Sequence, residues 1–217
     1  MAAATSPYDP GSQEATYWQA RQRLASATRA LNEKLVSTDI DPELAAALTE
    51  KIEDLTEELS QAQQVNGLVD MARRGQRGTI DDVMGELVSV GGRSHPCSPE
   101  LRWQEAPNQI TGTVRFSQAF EGPPGHVHGG WVAGVLDHLM GMTHVRTGYP
   151  GMTGGLSVRY LKPTPLNQAI EVSAQATELD DKRTEVKAEM RFGETTTATA
   201  EAIFVRVDRE KFGFDIP

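Results

Sequence analysis

"GPPGHVHGGWVAGVLDHLMG", residues 122–141, decides how this chain folds. Its first half is rich in proline and glycine and reads as a loop with a tight entry into a helix. The helix predicted from it runs from about Gly130 to Thr147, ending before Gly148-Tyr149-Pro150. At about 100° per residue, Val132, Val135, Leu136, Leu139 and Met140 share one stripe, which would face a sheet. Gly130, Ala133, Gly134, Asp137, Gly141 and His144 form a second stripe. An interior helix glycine costs about 0.8–1 kcal/mol relative to alanine. A strip this small therefore suits a place where another backbone or a ligand comes close. Asp137 is the one acid on it.

The two ends of this helix offer different chemistry. Gly129 and Gly130 would present backbone N–H groups at the positive end of the helix dipole, a natural place for a developing oxyanion. His128 lies nine residues before Asp137. That is two and a half turns, or about 13 Å along the axis, with the two residues on opposite sides. One substrate carbonyl cannot reach both in one chain. If both serve one site, two copies of the chain must share it. The plainer readings are an acid on a solvent face and a glycine pair that only tightens the helix entry.

Outward from this helix, the chain divides near residue 95. The segments "EATYWQARQRLASATRALNEKLVST" and "DPELAAALTEKIEDLTEELSQAQQV" are rich in good helix formers. Leu44, Leu48, Ile52, Leu55 and Leu59 follow helical spacing, and Asp41 with Pro42 supplies a helix start. "MARRGQRGTIDDVMGELVSVGGRSHP" reads as loop, short helix and glycine-rich connection. Residues 1–95 thus form a helical extension, a solvated helical hairpin and linker packed on the main domain or on a partner subunit. Residues 96–217 alternate as strands. "ELRWQEAPNQITGTVRFS" predicts a hairpin turning at Pro107-Asn108, with Ile110, Gly112, Val114 and Phe116 in alternation. Four more alternating runs follow, joined by turn signals. The fold class is α+β, one long central helix against a mostly antiparallel sheet.

The 217 residues carry 21 Lys and Arg, 30 Asp and Glu, and a net charge of −9. This excludes nucleic-acid binding driven by counterion release and gives no patch for an anionic membrane. No run approaches the ~18 apolar residues of a membrane span, and residues 1–20 read as no secretory signal. Cys97 is the only cysteine, so neither an intrachain disulfide nor a thiolate cluster can form. A cytoplasmic protein is expected. His126 and His128 lack a third ligand at metal spacing, and His138 and His144 read as packing or surface residues. Ser157 lacks the context of a nucleophile elbow and reads as a strand residue.

"HGGWVAGVLD", with its acid nine positions after the histidine, followed by "TGGLSVRYLKPTPL", resembles the hotdog-fold acyl-CoA thioesterases. The likeness is to the phenylacetate-pathway and thioesterase-superfamily-member branch and covers roughly residues 98–210. It implies a hotdog fold, a central helix wrapped by the sheet, and hydrolysis of acyl-CoA to a carboxylic acid and CoA. It implies that Asp137 is the catalytic carboxylate, as general base or as nucleophile. The N–H of Gly129, with that of Gly130, would form the oxyanion hole. Thr153 would hold the water or orient the acid, and His128 would fix the loop and the substrate carbonyl. Some relatives carry Asn or Gln where this chain has Gly122, which leaves water positioning open. Arg159, Lys162, Lys182 and Arg183 are candidates for the phosphates of CoA. Neither metal nor organic cofactor is required. The resemblance implies a homodimer or a dimer of dimers. The competing expectation is a non-catalytic hotdog protein that binds acyl-CoA or a protein partner.

Overall fold

A computed structural model describes residues 13–73 and 77–208. Residues 1–12, read as carrying no signal, and residues 74–76 of the expected loop lie outside the described residues. Helices α1 (Gln13–Ser37), α2 (Pro42–Ser60), α3 (Gly67–Arg73) and α4 (Ile80–Leu87) precede strands β1 (Glu100–Ala106) and β2 (Gln109–Arg115). Helix α5 (Gly129–Val145) follows, then β3 (Gly151–Tyr160), β4 (Ala169–Glu178), β5 (Arg183–Phe192) and β6 (Thr195–Arg206).

The strands form one sheet in the order β1-β2-β4-β5-β6-β3, and every pairing is antiparallel. The expected hairpin is present, with Asn108 in the left-handed region at φ 55°. Asn167 and Gly193 make the later turns the same way, at φ 59° and 57°. Asparagine and glycine tolerate that conformation where most residues do not.

Helix α5 packs against one face of this sheet, the hotdog arrangement. Val135, Leu136, Leu139 and Met140 are fully buried and Val132 nearly so. Strand alternation supplies the facing surface through Ile110, Val114, Ile170, Val186, Met190 and Phe204. Each such side chain contributes about 1.5–3 kcal/mol when buried. This one stripe leaves Ala133, Gly134, Asp137 and Gly141 of the glycine strip half-buried, while His144 at its end is buried with the core side.

The extension has a small core of its own. Trp18 of α1 packs with Met71, Ala72, Ile80 and Val83, and its indole N–H donates to the Arg77 carbonyl over 3.0 Å. Asp41 caps α2 through the Leu44 N–H at 2.7 Å, with Pro42 at the first turn as expected. Thr79 and Asp82 cap α4 reciprocally. The apolar face expected on α2 has no cover among the described residues, however. Leu44, Ile52, Leu55 and Leu59 are exposed, and no residue of α2 is buried.

Candidate active site

Helix α5 begins one residue earlier than its sequence suggests, because His128 is its cap. The imidazole Nδ1 of His128 accepts the Gly130 N–H over 3.0 Å. A helix start leaves its first N–H groups without helical acceptors, and a side chain at this position satisfies one of them. Gly130 is thereby spoken for. The Gly129 N–H has no acceptor among the described residues, while its carbonyl accepts the Tyr160 hydroxyl over 3.0 Å. A Cβ on Gly129 would press on the Tyr160 ring at 3.4 Å. Nothing local in the sequence links Tyr160, in the strand motif, to a helix start 31 residues away.

The loop before the helix is built around its glycines. Gly122 donates to the His126 carbonyl over 3.0 Å, and a Cβ there would meet the His128 Cα at 2.7 Å. Gly122 thus lets the chain pass behind His128. It carries no polar group to a site. His126 turns its Nδ1 to the Pro124 carbonyl at 2.9 Å. Among the described residues no three His, Cys, Asp or Glu side chains converge as a metal site.

Two turns further along α5, Asp137 is half-buried on the strip of small residues. The Thr153 hydroxyl donates to its Oδ1 over 3.0 Å. Strand β3 brings Thr153 there: it is the edge strand next to β6, with a register shift between Thr153 and Gly155. The structure therefore joins two residues that the sequence placed 16 positions apart. It leaves Gly129 and Asp137 about 12 Å apart along the helix.

His138 and His144 are packing residues. His144 is fully buried, stacked on Phe204 with ring centroids 5.1 Å apart, and burial pushes its pKa down. A Cβ on Gly151 would come within 2.2 Å of its Nε2, so that neighbour must be glycine. His138 meets Trp103 edge to face at 6.0 Å. Burial lowers its pKa to about 4.

The four candidate phosphate contacts do not form one cluster. Arg159 and Lys162 are exposed at the Tyr160 end of β3. Lys182 and Arg183 lie by the turn into β5, near the Gly151 end, where the Arg206 N–H bonds the Lys182 carbonyl and Gly151 pairs with Arg206. Arg183 is already bridged to Asp180 at 2.7 Å. Ser157 is an exposed residue of β3, as expected.

A family model described as thioesterase superfamily matches residues 124–206. Over these residues the chain is similar to the thioesterase superfamily. The matched span holds His128, Gly129, Asp137, Thr153 and Tyr160, so it contains the helix cap, the Gly129–Tyr160 contact and the Asp137–Thr153 pair. The acyl-coenzyme A thioesterase THEM4 of Mus musculus is 33% identical over 93 residues, 42% of this chain and 40% of its own length. Its counterpart in Rattus norvegicus is 31% identical over 111 residues, 50% of this chain and 48% of its own. The chain thus spans under half the length of these curated relatives. A solved thioesterase superfamily protein is similar at 26% identity with a TM-score of 0.72. That likeness covers 93% of this chain and 98% of the other, so the helical extension and the hotdog domain occur together there as well.

Proposed function

We propose that this chain hydrolyses acyl-CoA thioesters to a carboxylic acid and CoA, in a site completed by two copies of the chain. The observation that carries this reading is the Asp137–Thr153 pair on a half-buried strip of small residues, two turns along α5 from a Gly129 N–H that has no acceptor among the described residues. Strand β3 is ten residues long, lies at the sheet edge and exposes Met152, Leu156 and Tyr160. A long exposed edge is a template for pairing with another strand. Two β3 edges paired antiparallel about a two-fold axis set the Gly129 end of one copy against the Asp137 end of the other. The similarity of residues 124–206 to the thioesterase superfamily supports the same reading.

In this site Thr153 holds Oδ1 of Asp137, and Oδ2 faces the reacting centre. Asp137 takes a proton from water as that water attacks the thioester carbonyl. In the nucleophilic version, Asp137 attacks the carbonyl itself and water then cleaves the mixed anhydride. Either route puts negative charge on the carbonyl oxygen, and the Gly129 N–H of the other copy donates to it. Such a donor is worth about 10²–10³ in rate. Collapse expels the CoA thiolate. Neither route calls on a metal or organic cofactor. Arg159 and Lys162 from one copy, with Lys182 from the other, offer cations for the phosphates of CoA at the rim.

The test is a panel of acyl-CoAs with a free-thiol readout, run on wild type and Asp137→Ala. Turnover by wild type and a loss of about 10²-fold or more in the variant is expected. Tight binding of acyl-CoA without thiol release would make the chain a binding protein instead.

A further inference from the structure

We infer that Val90, supplied by the helical extension, is a specificity-determining residue that limits the width of the acyl group; this rests on the thioesterase reading above. Gly134 lies on the same strip as Asp137, one turn nearer the helix start. The space its side chain would fill is met by the two methyl groups of Val90, whose Cγ1 and Cγ2 lie 3.2 and 3.6 Å from that position. In the proposed site, an acyl group whose carbonyl reaches Asp137 runs along this strip past Ala133 towards Gly134. Val90 stands at the border of that strip.

This border is held firmly. Gly91 lies so close over the His138 ring that a Cβ would fall 2.0 Å from it, and a Cβ on Gly92 would fall 2.5 Å from the Glu86 carbonyl oxygen. The Gly92 N–H bonds the Val88 carbonyl at 2.7 Å, and the Ser94 N–H bonds that of Glu86 at 2.8 Å. The Ser98 hydroxyl donates to the Ser89 carbonyl over 3.0 Å. Beneath the turn, the fully buried Glu86 carboxylate accepts from Ser94 at 2.5 Å and Gln22 at 2.9 Å, and pairs with Arg93 at 2.7 Å. A buried carboxylate with these partners fixes its surroundings, since losing Arg93 would leave its charge unpaired and losing Ser94 or Gln22 would cost it a hydrogen bond. Arg29 of α1 ties the same segment through the carbonyls of Arg93 and His95. Val90 therefore cannot retreat from a bulky acyl group without breaking these contacts. Selectivity is written partly in the extension, outside the residues matched by the thioesterase family.

The experiment compares wild type, Val90→Ala and Val90→Phe on straight-chain, branched and phenylacetyl CoA esters, with acetyl-CoA as the common reference. The expected result is opposite shifts. Val90→Ala raises kcat/KM for the bulky esters relative to acetyl-CoA by about tenfold, the scale set by a few methyl groups in a pocket, and Val90→Phe lowers it. A general loosening of the fold would move both variants the same way. Wild-type turnover with unchanged ratios, or with both ratios shifted in one direction, overturns the role of Val90 alone. Absence of wild-type turnover on every ester overturns the thioesterase reading and this inference together.

Discussion

The Thr153 hydroxyl donates to Asp137 Oδ1 over 3.0 Å, and this single bond ties the edge strand to the acid on the central helix. A hydrogen bond to a charged group is worth about 1.5–3 kcal/mol. Thr153→Val keeps the shape and removes the donor, so kcat should fall about tenfold or more while the fold persists. Thr153→Ser should retain most of the activity. Steady-state kinetics on both variants check this, and equal rates for Val and Ser would show that the hydroxyl does not orient Asp137.

His128 is a cap in this structure, and its substitution should be read first as a loss of stability. His128→Ala removes the acceptor of the Gly130 N–H and should cost about 1 kcal/mol. His128→Asn can cap the helix and should recover most of that loss in a thermal melt. If Asn restores stability but turnover stays as low as in Asp137→Ala, His128 takes part in the chemistry as well.

His138 makes stability depend on pH. Its ring Nε2 is sealed from solvent without a hydrogen-bond partner, and burial lowers its pKa from 6.5 to about 4. The unfolded chain binds this proton from about pH 6.5 downward and the folded chain does not. The contribution is therefore intact above pH 6.5 and is lost as pH falls towards 4, by on the order of 3 kcal/mol. Denaturant unfolding across this range should show the decline, and His138→Leu should flatten it. An equal slope in the variant would assign the loss to other groups.

What could be read in advance follows from how local each cause is. The buried stripe of α5 and its glycine strip are periodic features of one segment, and both lie where their spacing puts them except at His144, which Phe204 draws into the core. The hairpin at Asn108 is equally local. The fate of the two N–H groups at residues 129 and 130 is not, because a pair of glycines does not say which one His128 will engage. Glu86 is an acid in a short amphipathic helix, and only Gln22, Arg93 and Ser94 make it a buried anchor. Val90 sits in a glycine-rich connection with no period at all, and its contact with Gly134 spans 44 residues. On α2 the opposite holds: the stripe is clear in the sequence, yet nothing among the described residues covers it.

The central claim is that one site uses Asp137 of one copy and the Gly129 N–H of the other. Complementation between two inactive variants tests it most directly. Gly129→Pro removes that N–H at the first helical position, where proline is tolerated, and His128 already has the extended conformation (φ −61°, ψ 132°) that a following proline needs. Asp137→Asn removes the carboxylate. Each variant alone should be inactive as a homodimer. When the two are co-expressed and the mixed dimer is isolated, one of its two sites has both groups intact, and about half of the wild-type turnover per dimer should return. A mixed dimer as inactive as its parents would contradict the shared site.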